Sequence, residues 1–462
     1  MCYNKGKFRR SSNCVEYGPN SKSLLCTNAD ILYEGGIIMQ RAGKLSLSER
    51  ETLQNLGRQL REISELPVME TNRNLWRAVN DGKMIRPVLV ARDYPVCLLS
   101  EGPDSIHPTI EDPYWQRREM EMKLAIYEWK HMPLDRVIEP YIEVPCEVTD
   151  TNVGLRMSSY PAKWNKMEDL DKAYAFNQVL FPDTNVEELI KMPCVTYHEA
   201  ETRENYERMC EIMDGIIDVK LFGINNFRYA MFDDIFAWTT IDEGMYYLID
   251  EPELLQAAAK RYTQCFISRA KQYEALGILS SNNNNSYIGN GGYGYSNELA
   301  APPASGIGAK LKDIWGVCQD QIFTSVSPQT SHDFAFVNEK PWADMFPRIY
   351  YGCCERTDHK VKELGVFDNL RKFTVSPFAN QQAAMEKMGS KYVVSFKPNS
   401  VYLNLNPMGE DKLRTELENV CKWAREYNNN VEIVMKTIVT LNHEPQRLWR
   451  WCEMATDIIK NY

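Results

Sequence analysis

From Leu47 onward, apolar positions recur in two alternating rhythms, one helical and one nearly continuous over four to nine residues, and short Gly-, Asn- or Pro-containing connections separate them. The short runs are rich in β-branched residues and fall at 87–91, 136–144, 323–326, 348–352, 372–375, 392–396 and 431–435. Apolar character without alternation suits parallel strands covered on both faces. Helical spacing is clearest from Asp250 to Gly277, where Asp250 and Glu253 have capping-box spacing, and from Glu410 to Tyr427, where Leu413, Leu417 and Cys421 share a face. Met120, Leu124 and Tyr127 mark a third helix leading to Asp135. In the C-terminal half each strand ends in polar or Gly/Pro residues before the next helix: Cys353-Cys354-Glu355, Ser376-Pro377, Lys397-Pro398-Asn399, Lys436-Thr437. Strand, polar tip, helix, repeated, predicts a single (β/α)8 TIM barrel over 46–462 with long inserted loops and reactive groups at the strands' carboxyl ends. A doubly wound open sheet is the alternative, weakened because no Gly-rich dinucleotide fingerprint follows a strand.

Two stretches break the rhythm. Residues 1–45 hold seven Lys/Arg against three Asp/Glu and show little periodicity, so a poorly ordered basic extension, or less plainly a targeting or partner-binding arm, is expected. Ser281 to Ser305 is Asn-, Gly- and Tyr-rich and too long for a turn. Either a loop covering a substrate or a surface insertion fits.

The chain has 462 residues, 44% hydrophobic and 25% charged, enough for a large core. Its net charge of −10 argues against nucleic acid as a partner. The absence of an apolar run of about 18 residues, and of an apolar signal core at the start, leads to the expectation of a soluble, cytoplasmic protein without membrane contact. Thirteen scattered cysteines read as reduced thiols.

Tyr350-Tyr351-Gly352-Cys353-Cys354-Glu355 is the most informative segment, because thiols and a carboxylate end an apolar strand. Thiolates bind soft metals and act as nucleophiles, and packing thiols are the bland alternative. None of the six histidines pairs at i,i+4, so a HExxH helix is excluded; His359 and His332 could reach a barrel mouth. Lys397, Asn399 and Lys436 stand where they could meet an anionic substrate, and Asp135, Glu139 and Glu143 are either ligands or a charged rim.

Many of these pieces, in order, carry a family resemblance: Asn74-Leu75-Trp76 with Asn80 and Arg86-Pro87; Asp250-Glu251-Pro252-Glu253; Gly291-Gly292-Tyr293-Gly294-Tyr295 with Glu298-Leu299; Asp313-Ile314-Trp315-Gly316 with Gln321; Tyr351-Gly352-Cys353-Cys354-Glu355; Asn369-Leu370-Arg371-Lys372; Lys397-Pro398-Asn399; Met435-Lys436. The chain resembles the uroporphyrinogen decarboxylase superfamily, in a decarboxylase-like branch that includes corrinoid methyltransferases. That resemblance implies a TIM barrel and one of two chemistries. The first is methyl transfer from a small methylated compound to a corrinoid carried by a partner protein, assisted by zinc on a His-x-Cys motif and a later Cys. The second is cofactor-free decarboxylation of a tetrapyrrole or other carboxylate. An altered, non-catalytic binder of small molecules is a third outcome, and a homodimer is implied by resemblance alone. Tyr351-Gly352-Cys353 occupies the His-x-Cys position with Tyr for His, and Lys436-Thr437-Ile438-Val439 has no cysteine where the later ligand belongs. The expected site is then Cys353, Glu355, Tyr351 and Lys436 for catalysis, with Tyr295, Glu298, Trp315, Gln321, Lys397, Asn399 and Arg86 on the substrate. Cys353, Glu355 and His359 are the expected zinc ligands.

Overall fold

Ten strands are formed among the residues that the computed structural model describes, 42–101, 104–155 and 178–462. They are β1 (Val88–Ala91), β2 (Tyr141–Pro145), β3 (Val148–Asp150), β4 (Val195–Tyr197), β5 (Asp218–Phe222), β6 (Trp315–Cys318), β7 (Arg348–Tyr351), β8 (Leu370–Val375), β9 (Val393–Phe396) and β10 (Asn430–Met435). Six of them pair in the order β1-β10-β9-β8-β7-β6, parallel throughout. A second parallel pair joins β2 to β5, and β3 with β4 forms a small antiparallel ribbon. Every residue of β1, β6, β9 and β10 is buried, as expected where helices cover one face and other side chains fill the opposite one. Helices Gln381–Met388, Glu410–Glu426 and Gln446–Lys460 follow β8, β9 and β10 in turn, which is the crossover that parallel neighbours require.

Several sequence expectations move. Residues 323–326 are not a strand: Gln321–Ser325 is a 3-10 turn whose Phe323 stacks on Phe232. Of 136–144, only the last part joins β2. Asp250 closes the helix Ile241–Asp250 rather than capping the next one, Pro252–Ala275, whose N-cap is Glu251 without a side-chain bond. Of the expected extension, 1–41 lies outside the described residues, whereas 42–45 is tied down: the Ala42 N–H donates to Asn205 Oδ1 at 3.2 Å and Trp115 Nε1 to the Gly43 carbonyl at 2.9 Å. Ser46 and Glu49 then form a capping box on helix Leu47–Ser64.

The segment 281–305 divides in two: 281–296 is lodged largely in the interior, with Asn282, Tyr293 and Tyr295 buried, and 297–305 emerges mostly onto the surface. A Cβ on Gly292 would sit 2.3 Å from the Trp76 ring and one on Gly291 2.4 Å from Glu432 Oε1, so glycine is what lets the backbone pass. The Gly292 N–H donates to Glu432 Oε1 at 3.1 Å, and Asn80 Nδ2 holds the carbonyls of Tyr293 and Tyr295, each at 2.8 Å. Glu432 in β10, Ser395 in β9 and Lys372 in β8 form a polar bridge inside the sheet: Ser395 Oγ donates to Glu432 Oε1 at 2.5 Å, and Lys372 Nζ lies 2.6 Å from Oε2. No helix among the described residues is long and apolar enough to cross a membrane.

Candidate active site

Parallel strands put all their carboxyl ends at one edge, and each of the six ends here in polar residues. Arg92 and Asp93 follow β1, Gln319 and Asp320 follow β6, Cys353 to Glu355 lie just past β7, Ser376 follows β8, Lys397 follows β9, and Lys436 follows β10. Lys436 joins three of these ends. Its ammonium lies 2.5 Å from Asn290 Oδ1, 3.3 Å from Asp93 Oδ2 and 3.7 Å from Cys353 Sγ. Asn290 in turn donates to Gln319 Oε1 at 2.9 Å and to the Gly352 carbonyl at 3.3 Å, so the inner part of the segment, 281–296, clasps the same edge.

The turn after β7 is pinned on every side. Glu355 Oε2 accepts the Cys353 N–H at 2.6 Å, Thr374 Oγ1 donates to the Cys353 carbonyl at 2.8 Å, and Ser376 Oγ donates to the Cys354 carbonyl at 2.9 Å. Gly352 has φ +99°, and a Cβ there would meet Thr374 Cγ2 at 2.5 Å. Two non-glycine neighbours share the left-handed region: Asp93 at φ 52° and Thr437 at φ 59°. Each such residue stores strain of roughly 1–3 kcal/mol, and for a β-branched threonine the conformation is a true outlier. The strain falls on the residues flanking Lys436.

Charge at this edge is arranged around the two thiols. Cys353 Sγ donates to Cys354 Sγ across 3.5 Å. That bond holds the Cys353 thiol well above the ordinary range, with burial adding to it, and brings Cys354 down to about 6, assisted by Lys436 against burial. The pair is thereby biased toward one shared negative charge beside Lys436. Burial works against the charge on Lys436, but Cys353, Asp93 and Cys354 hold its pKa above the usual lysine value. Burial likewise opposes ionisation of Asp93, and Arg92 and Lys436 overcome it, to about 2. Lys397 is pushed down to about 7, first by burial and then by the cations Lys436, Arg92 and Lys372. Its amine donates to Ser395 Oγ at 2.5 Å, at the end of the bridge to Glu432.

Of the residues expected from the sequence, Cys353 and Lys436 come together, and Lys397 lies near them among the buried cations. Glu355 supports the turn through one oxygen, while the other has no hydrogen-bond partner and faces a closed cavity with room for about one water, shared with Asp320, Ser331 and Lys360. Burial, with Cys353 beside it, raises Glu355 to about 7. Tyr351 lines that cavity too, its ring against Phe336 and Phe367, on the face of β7 opposite Tyr350. His359 leans toward Asp358 at 3.9 Å. The expected zinc set of Cys353, Glu355 and His359 is thus not assembled, and among the described residues no group of three or more His, Cys, Asp or Glu side chains is arranged to hold a metal ion. The Glu355 carboxylate is turned back onto the Cys353 N–H and His359 lies against Asp358, so the donor set does not fit zinc.

The expected substrate residues scatter. Glu298 pairs with Arg348 and Arg371 at 2.6 Å each, and Arg86 pairs with Asp135 at 2.6 Å; these partners stand at the amino ends of the strands, away from the thiols. The Tyr295 phenol donates to Glu139. Trp315 is buried with its indole N–H on the Gly294 carbonyl at 2.8 Å, Gln321 is exposed, and Asn399 Oδ1 accepts the Val401 N–H at 3.1 Å. Asp93 and Asn290 belong to the site although the sequence reading gave them no role, and Cys354, read there as one of two thiols ending the strand, joins them. Asp93 obeys the same rule that marked Lys436, a polar residue just beyond an apolar strand, whereas nothing local in an Asn-rich stretch singles out Asn290.

No family model and no curated protein matches the chain. Among solved structures, a methyltransferase from Methanosarcina mazei superposes with a TM-score of 0.42 at 14% identity, over 84% of this chain and 98% of that one.

Proposed function

We propose that this chain is a methyltransferase whose eight parallel strands, β1, β2 and β5 to β10, close as a TIM barrel around the thiol pair of Cys353 and Cys354. Contacts support closure where the two parallel groups meet: the Asp135 N–H, ahead of β2, reaches the Leu89 carbonyl of β1 at 3.3 Å, and Ile224, past β5, pairs with Leu279, whose segment reaches β6 where Asn282 Oδ1 accepts the Trp315 N–H at 2.8 Å. The observation that carries the reading is the Lys436 ammonium, 3.7 Å from a cysteine pair at the strands' carboxyl ends. A thiolate is a soft nucleophile suited to an electrophilic methyl carbon, and a cation beside it keeps it ionised near neutral pH. In the reaction the sulfur–carbon bond forms as the bond from methyl to its heteroatom breaks. The heteroatom leaves with that electron pair and takes a proton from solvent. Asp93 and Asn290 position Lys436, and the pinned backbone fixes both sulfurs. The family resemblance supports a corrinoid on a partner protein as the onward acceptor. Since the residues do not fit zinc, no step uses it.

The test is to incubate the protein with reduced corrinoid and a panel of methylated amines, aryl methyl ethers and methyl thioethers, and to follow methylation of the corrinoid by its visible spectrum. Peptide mass mapping then seeks one added methyl at Cys353 or Cys354. Transfer that is lost in both Cys353→Ser and Cys354→Ser is the expected result. Transfer that survives both substitutions would overturn the reading, as would a complete absence of transfer and of methylated cysteine.

A further inference from the structure

The turn after β7 brings together two sulfurs and no third donor. Cys353 and Cys354 are free thiols, both half-buried, with their sulfurs 3.5 Å apart. Two thiolates on one tetrahedral centre with bonds of about 2.3 Å lie about 3.8 Å apart. One atom can therefore bond both sulfurs with little movement. The number of donors then selects the ligand. A tetrahedral divalent metal asks for two more donors, and Glu355 and His359 are directed elsewhere. A trivalent thiophilic centre with one organic substituent has only two valences to fill.

We propose that Cys353 and Cys354 are a chelating dithiol site for organic trivalent arsenicals. The inference rests on the two sulfurs and stands apart from methyl transfer. In the binding step the S–H bond of the remaining thiol breaks, two sulfur–arsenic bonds form, and the oxide oxygen leaves as water with that proton and one taken from solvent. No element changes oxidation state. Lys436 favours loss of the first proton, and the hydroxyls of Thr374 and Ser376, bonded to the carbonyls of the two cysteines, hold the turn while the ring closes.

Phenylarsine oxide titrated into the full chain tests this. One equivalent should protect Cys353 and Cys354 together from maleimide, with both residues and one phenylarsenic in a single mapped peptide. A small dithiol should reverse the adduct, and a monothiol at the same concentration should not. Cys353→Ser and Cys354→Ser should each bind about a hundredfold more weakly, the lower end of what a tethered second contact contributes. The peptide map on the unaltered chain decides the matter even if a serine variant folds poorly. Arsenic on other cysteines, binding undiminished in a folded serine variant, or ready reversal by the monothiol would each overturn the proposal.

Discussion

Lys436 is the side chain on which the site's charge turns. Replacing it with Met removes the cation that favours the shared thiolate, while Asp93 keeps Arg92. The pair's first ionisation should therefore move up, and the rate of iodoacetamide alkylation at pH 6.5 should drop severalfold while recovering at pH 9. An unchanged pH profile would show that Lys436 does not act on the sulfurs. Lys372 and Glu432 pose a different single-residue question, because both are fully buried and 2.6 Å apart. Lys372→Met strands a buried carboxylate, and a loss of about 3–5 kcal/mol in denaturant unfolding is expected. How far the residues could be read ahead of the structure follows from which end of a strand they occupy. Cys353 and Lys436 stand just past apolar runs, and that position alone marks a reactive edge. Glu298 and Arg86 sit in equally conspicuous motifs but engage groups at the amino ends, a distinction that depends on the path of the whole segment.

The element that organises the site is the turn from β7 into Cys353. Its entry needs a left-handed residue packed against Thr374, so Gly352→Ala should displace the backbone and slow thiol alkylation by about tenfold or more, even where far-ultraviolet circular dichroism is unchanged. Alkylation at the unaltered rate would show that the turn tolerates a Cβ. Five of the strands in the main sheet were legible because their apolar runs are β-branched. β6 was not: Gly316 interrupts it, and a Cβ there would lie 2.3 Å from Phe346, so close packing chose the residue that hides the strand. The neighbouring run around Phe323 looked more strand-like, yet its ring serves an aromatic cluster with Phe232 and Phe236.

At the scale of the whole molecule, carboxyls kept protonated by burial should set the response to acid. Glu355, Glu143 and Asp233 are each raised to about 7, burial being the first cause in all three. A carboxyl with a raised folded value binds its proton more tightly folded than unfolded. Its stabilising contribution is complete below about pH 4, where the unfolded chain is protonated too, and is lost as pH rises toward 7. Denaturant midpoints should accordingly fall between pH 5 and pH 7, and Glu143→Gln should flatten that decline. A midpoint that climbs over this range would contradict the burial of these groups as protonated acids.

The segment 281–305 has one more consequence. It grips Lys436 through Asn290 at one edge of the sheet and, eight residues later, is anchored by Glu298 to Arg348 and Arg371 at the other. Gly291, Gly292 and Gly294 let it pass the interior in close contact before it emerges at Asn297, so it should act as a tie rod, a shift at one end being felt at the other. Loosening the remote anchor with Glu298→Gln should change how fast the thiols react, though that side chain touches nothing near them. Equal alkylation rates in the two proteins would mean that the rod carries no load.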